Sequence, residues 1–184
     1  MNTAVDEMVT KRFLDYWEFT SLPFPKVVDP SSTFLSGHHE NTLLRLTQLL
    51  HTREVGVVIG EAGYGKSTII DIFLSQLSSS RYKIIRIENP QNKPREMYRG
   101  ISSAMGVNSP AMLNELRLLT DTKVKNEPLI TLMLFGQPAL ASTLKLPAMV
   151  PLAQRIGAWI TLKPMTEEES LNYIDWHVKN AGRS

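Results

Sequence analysis

The stretch 55-VGVVIGEAGYGKSTII-70 is the most informative part of the sequence, because it runs from an apolar segment through a glycine-rich loop into a helical pattern. Residues 55–59 are apolar and mostly β-branched, which is typical of a strand buried within a parallel sheet. Beyond the loop, apolar residues recur at helical spacing: Ile69, Ile70, Phe73, Leu74 and Leu77. The stretch therefore predicts a strand, a tight loop and a helix in direct succession.

Further strands and helices alternate on both sides of this stretch. The apolar patterns predict strands at 82–88, 129–135 and 158–162, and helices at 37–54, from Pro94, near Pro110, after Pro138 and after the Thr166/Glu169 capping box. This alternation favours an α/β fold whose mainly parallel sheet is flanked by helices. The predicted division is an N-terminal arm (1–33), a core (34–163) and the start of a helical lid (164–184).

Composition narrows the class of protein. The 184 residues include no cysteine, which excludes disulfides and thiolate metal sites and fits a reducing cytosol. A net charge of +2 is too small to argue for nucleic acid by itself. The N-terminus lacks the apolar region of a secretory signal, and the apolar run 129–135 is too short to span a bilayer. We expect a cytoplasmic protein without a membrane span.

The glycine loop has the pattern G-x-x-x-x-G-K-[ST] at residues 60–67. Glycines let successive backbone N–H groups point at phosphate oxygens, and the start of the next helix also favours an anion. Lys66 can reach the β- and γ-phosphates, and the Ser67 hydroxyl is a natural Mg²⁺ ligand. A chance glycine turn is the alternative, but the flanking strand and helix argue against it. The predicted phosphate-binding residues are Gly60, Glu61, Ala62, Gly63, Tyr64, Gly65, Lys66, Ser67 and Thr68.

Two adjacent histidines, His38 and His39, raise the question of a metal site. On a helix their side chains diverge by about 100°, and no H-E-x-x-H or cysteine pattern supports them. The better interpretation is the start of a helix, at the surface or beside a bound base.

Several segments together give the chain a family resemblance: 22-LPF-24, 34-FLSGHHE-40, 58-VIGEAGYGKSTI-69, 132-LMLFGQPAL-140, 152-LAQRI-156 and 164-PMTEEESLNYIDWHV-178. In this order they resemble AAA+ P-loop ATPases of the general-secretion-pathway type, a module that also occurs in ATP-binding proteins of transposable elements. The resemblance covers nearly the whole chain. It implies a P-loop fold that binds ATP with Mg²⁺ and forms a homo-oligomer.

The resemblance also implies roles for two residues outside the loop. Gln137 matches a sensor that orients the attacking water or contacts the γ-phosphate; the alternative is a turn residue before Pro138. Arg155 matches an arginine that reaches the nucleotide of a neighbouring subunit and offsets transition-state charge. The alternative for Arg155 is a surface arginine paired with a carboxylate.

One family element has no counterpart in the sequence. The family carries a strand ending in Asp-Glu, the Walker B element, whose acids hold Mg²⁺ and polarise water, whereas 106-GVN-108 runs directly into 109-SPAMLNELRLL-119. The lid also stops after one helix, which leaves the usual second sensor arginine without a match. An internal deletion or a degenerate relative would each explain the missing strand. A third hypothesis lets strand 82–88 pair with strand 129–135, so that Glu88 takes the place of the lost acids.

Three functions follow from these observations. The first is an ATPase module that couples ATP to self-assembly and to a partner, either DNA with a transposase or a secretion-type assembly. Because the chain shows no membrane span, we favour the DNA-linked or free-standing form. The second is a nucleotide-binding regulator with little or no hydrolysis. The third, a small-molecule kinase, is disfavoured because 136-GQP-138 and the poor lid do not fit that class.

Overall fold

The structure is a computed structural model that describes residues 3–25, 29–30, 33–86, 99, 123–124, 127–128 and 130–182. The chain forms two compact units, one of residues 38–163 and one that combines residues 1–37 with 164–184. The predicted arm and the predicted lid therefore belong to the same unit.

The described secondary structure alternates between helices and short strands. In chain order the elements are α1 (Thr3–Trp17), α2 (Gly37–Thr52), β1 (Val55–Ile59), α3 (Lys66–Ser75), β2 (Lys123–Val124), β3 (Glu127–Pro128), β4 (Leu132–Gly136), α4 (Pro138–Leu144), a 3-10 turn (Pro147–Met149), α5 (Val150–Ala153), β5 (Ile156–Thr161) and α6 (Glu167–Asn180).

Strands β4, β1 and β5 form a three-stranded sheet in that order, with β1 in the centre and both pairings parallel. The end of β1, Ile59, lies opposite Gly136 of β4 and Thr161 of β5. All three carboxyl ends therefore meet at one edge of the sheet, which is where ligands of such sheets bind. Strands β2 and β3 pair separately as a small antiparallel ladder.

Helices cover both faces of the central strand. On one face, Val55 and Val57 pack in a core with three buried side chains that follow β4: Leu144, Met149 and Leu152. On the other face, Gly56 lies directly against the Leu49 side chain of α2, where a Cβ would overlap it. A parallel strand enclosed on two sides must be apolar throughout, which explains the run 55-VGVVI-59.

The predicted strand at 82–88 is wrong over residues 82–86, which have no regular secondary structure. Ile84 and Ile85 remain 43% and 42% exposed, so their apolar side chains are not buried by a sheet. Instead, the Arg86 guanidinium donates to the Asp71 carboxylate of α3 at 2.6 Å. Three predicted segments lie outside the described residues: the rest of that strand, the helix near Pro110 and, except for Arg99, the helix from Pro94.

The unit of residues 1–37 and 164–184 is organised around α6. Its predicted capping box is confirmed: Glu169 N donates to Thr166 Oγ1 at 3.2 Å, and Thr166 N donates to Glu169 Oε2 at 2.9 Å. At the other end of α6, the Thr20 backbone and hydroxyl both donate to the Ala181 carbonyl. Aromatic rings surround the buried His177: Phe24, Tyr173 and Trp176.

Candidate phosphate-binding site

The glycine loop lies at the carboxyl edge of the sheet, between β1 and α3. Its first residue, Gly60, donates its backbone N–H to the Gly136 carbonyl at 3.1 Å, which ties the loop to the end of β4. On the other side, Leu162 N donates to the Ile59 carbonyl at 2.7 Å. The start of the loop is therefore held by both neighbouring strands, and this anchoring gives the loop a rigid base.

Three glycines of the loop are required by its conformation. Gly63 and Gly65 have φ angles of 85° and 77°, in the left-handed region that disfavours any side chain. A Cβ on Gly60 would lie 3.0 Å from the Leu162 Cβ, so the backbone there is packed too closely for a side chain. At Gly63, by contrast, no atom of the described residues lies within 4 Å of the position that a Cβ would occupy. The loop is thus backed by protein at its two ends and open at Gly63.

Lys66 is the first residue of α3, and its ammonium group lies inside the curve of the loop. Nζ donates to the Gly60 carbonyl and to the Glu61 carbonyl, both at 2.8 Å. The N–H groups in the first turn of a helix have no partner within the helix, so those of residues 66–68 are donors for an anion. A lysine ammonium, the N–H groups of a helix start and a glycine open to its surroundings are features that fit a phosphate group.

Ser67 and Thr68 follow in the same helical turn, with Ser67 exposed and Thr68 partly buried. A hydroxyl beside a phosphate-binding lysine is a suitable Mg²⁺ ligand when the phosphates supply further oxygens. Within the described residues, no group of three or more His, Asp or Glu side chains could hold a metal ion. The Ser67 hydroxyl is the oxygen donor of this turn that fits Mg²⁺ when phosphate oxygens complete the site.

Gln137 follows β4 directly and is the residue that precedes α4. Its side chain is exposed and, within the described part of the chain, does not cap the helix that it begins. Its neighbour Gly136 accepts the Gly60 N–H, so Gln137 lies beside the start of the loop. Of the predicted residues beyond the loop that the structure describes, Gln137 is the one that the sheet brings to it.

Arg155 lies immediately before β5, at the amino edge of the sheet, whereas the loop lies at the carboxyl edge. The six residues of β5 span about 20 Å at roughly 3.3 Å per residue. Arg155 and the loop of the same subunit are therefore at opposite ends of the sheet. Glu88, the remaining predicted catalytic residue, lies outside the described residues.

The two histidines at the start of α2 have separate structural roles. His38 Nε2 lies 3.0 Å from the Thr161 carbonyl oxygen and 3.2 Å from the Lys163 nitrogen, so it contacts the end of β5. His39 is buried, and its ring lies against Gly65 of the loop. The predicted helix start is confirmed, but a surface position is wrong for His39, because its ring is buried against Gly65. That contact was missed, because nothing in the spacing of His39 and Gly65 indicates it.

Comparisons with known proteins agree with this geometry. A family model described as an AAA domain matches residues 48–111, a range that includes β1, the loop and α3. General secretion pathway protein A of Aeromonas hydrophila is 25% identical over 209 residues, which cover 92% of this chain and 38% of that protein. The chain thus spans 38% of the length of this relative.

The parallel sheet, the glycine loop and the AAA match together define an α/β fold of the P-loop NTPase type. They support an AAA-type P-loop ATPase module. Among the helices in the described residues, none is both long enough and apolar enough to cross a membrane.

Proposed function

We propose that this chain is an ATP-binding module that couples ATP and Mg²⁺ binding to its own assembly. The observation that carries the proposal is the loop of residues 60–65, which is held at its Gly60 end by both neighbouring strands and is left-handed at Gly63 and Gly65. The Lys66 ammonium donates to the carbonyls of Gly60 and Glu61 in this loop. In this proposal the phosphates take over the two hydrogen bonds that Lys66 now donates to loop carbonyls. Ser67 supplies an oxygen ligand to Mg²⁺. The choice of adenine follows from the AAA match.

The experiment is a titration of the purified chain with a fluorescent ATP analogue in the presence of Mg²⁺, beside Lys66→Ala. Removal of the Lys66 ammonium is expected to weaken binding at least tenfold, because it deletes the only charge contributed by residues 65–68. Lys145→Ala is the matched control, because Lys145 is exposed and ends α4 away from the loop. Equal affinity of the wild type and Lys66→Ala would contradict the proposal.

The proposed self-assembly gives Arg155, which lies immediately before β5, the role of an arginine finger. A residue at the amino edge of the sheet cannot serve the phosphates of its own subunit, so an arginine-finger role requires a second subunit. Sedimentation velocity is expected to show a larger species with ATP and Mg²⁺ than without nucleotide. Adding duplex DNA tests whether DNA is a partner of the assembly. An unchanged sedimentation coefficient with DNA would contradict the proposal that it is.

A nucleotide-binding regulator without hydrolysis is the second candidate, favoured by the missing acidic strand. No run of four apolar residues followed by Asp-Glu occurs in the sequence. The alignment with the Aeromonas hydrophila protein supports a missing segment: it extends over 209 residues, but 92% of 184 residues is about 169, so about 40 positions of that alignment have no residue here. Phosphate release that does not exceed the Lys66→Ala background, together with intact ATP binding, would establish this candidate over the ATPase.

A further inference from the structure

We propose that His39 is a positioning residue for the phosphate-binding loop, an inference that rests on the proposed nucleotide site. His39 lies in the first turn of α2 and is 8% exposed. A Cβ on Gly65 would lie 3.0 Å from Nε2 and 3.5 Å from Cε1 of the His39 ring. The ε edge of the imidazole therefore occupies the space where a side chain of residue 65 would lie.

The backbone conformation of Gly65 sets the orientation of the groups that would donate hydrogen bonds to a phosphate. Gly65 has a φ of 77° and precedes Lys66, so its backbone sets the direction of the Lys66 side chain and of the first helical N–H groups. Its carbonyl accepts the Ile69 N–H at 2.9 Å, which begins the hydrogen bonding of α3. A left-handed residue without a side chain has many accessible conformations, and a ring packed against it restricts them.

The neighbouring histidine fixes the helix that carries His39. His38 contacts the backbone of Thr161 and Lys163, just beyond the point where Leu162 N donates to Ile59 O. The first turn of α2 is thus tied to the end of β5, and the end of β5 is tied to the start of the loop. In this arrangement His39 packs against the Gly65 end of the loop, and backbone hydrogen bonds of Gly136 and Leu162 stabilise the Gly60 end.

The test compares two amides at position 39. The amide of His39→Gln reaches the ε position of the ring, whereas the amide of His39→Asn stops at the δ position and leaves the space beside Gly65 empty. We expect His39→Asn and His39→Ala to raise the Kd of a fluorescent ATP analogue with Mg²⁺ at least tenfold, and His39→Gln to stay within about threefold of the wild type. His51→Ala, at the exposed other end of α2, is the control and should bind as the wild type does.

The measurement separates a positioning role from a purely structural one. Thermal unfolding without nucleotide reports the folded fraction of each variant, and the Asn–Gln comparison remains valid if the alanine variant does not fold. Wild-type affinity of His39→Asn, or equal losses in His39→Gln and His39→Asn, would overturn the role of His39. If Lys66→Ala still loses binding in that case, the proposed nucleotide site stands without His39. If the wild type itself does not bind, both proposals fall.

Discussion

The backbone N–H of Gly60 donates to the carbonyl oxygen of Gly136 at 3.1 Å, and this bond joins the start of the glycine loop to the end of the neighbouring strand. Because Gln137 follows Gly136, the bond places the backbone of Gln137 beside the loop. For the proposed nucleotide complex we infer that the exposed Gln137 amide contacts a terminal phosphate or a water molecule near it.

Replacing Gln137 by Ala is expected to lower ATP turnover at least tenfold while the affinity for nucleotide stays within about threefold. The reason is that the amide would act on the attacking water, whereas the loop and Lys66 hold the phosphates. Phosphate release and analogue binding measure the two quantities. Gln48→Ala, at an exposed glutamine of α2, is the control. Unchanged turnover in Gln137→Ala would remove the sensor role.

Arg155→Ala is expected to abolish ATP turnover. Mixing it with Lys66→Ala, which is also expected to be inactive, should restore part of that turnover. In a mixed assembly, an Arg155→Ala subunit keeps its own Lys66, and a Lys66→Ala subunit supplies Arg155 across the interface. Mixing the two variants should therefore release phosphate faster than either one alone. A mixture no more active than its components would mean that Arg155 does not act on a neighbouring subunit.

Gly65→Ala is expected to destabilise the fold by about 1–2 kcal/mol, because Gly65 has a left-handed φ of 77° and a methyl group there would meet the His39 ring. Denaturant unfolding gives the free energy. Gly37→Ala serves as the comparison, since Gly37 begins α2 and no atom of the described residues lies within 4 Å of its Cβ position. Equal stabilities of the two variants would be inconsistent with the loop conformation.

Thr166→Ala is expected to cost about 1 kcal/mol of unfolding free energy, the usual loss when a helix N-cap is removed. The variant deletes the acceptor of the Glu169 N–H at the start of α6. Thr143→Ala is the matched control, because the Thr143 hydroxyl bonds to the Ala139 carbonyl within α4 and caps nothing. A loss of the same size in both variants would show that the capping box contributes little.

Leu46→Ala is expected to cost about 2–5 kcal/mol, as for other buried leucines whose removal leaves a cavity. Leu46 is 0% exposed, whereas Leu44 on the same helix is 71% exposed. Leu44→Ala should therefore change the unfolding free energy by less than about 0.5 kcal/mol. Comparable losses of unfolding free energy in the two variants would contradict the finding that the Leu46 face of α2, and not the Leu44 face, is buried.

The features of this protein that depend on adjacent residues were predictable from the sequence. The strand, the loop and the helix of 55-VGVVIGEAGYGKSTII-70 were predicted correctly, because the apolar β-branched run, the glycines of the loop and the start of α3 are patterns of adjacent residues. The capping box of α6 was predictable for the same reason, since Thr166 and Glu169 are three residues apart.

The distant residues that meet at the loop could not be predicted, because their contacts depend on how the strands and helices pack. Strand order brings Gln137 to the Gly60 end and leaves Arg155 at the opposite edge, and the packing of α2 sets His39 against Gly65. The segment 82–86 has an apolar pattern typical of a strand, yet it lies outside the sheet with Arg86 bound to Asp71. An apolar pattern shows which side chains of a segment can be buried. A strand also needs a neighbouring strand to pair with, and the whole fold determines whether one is there.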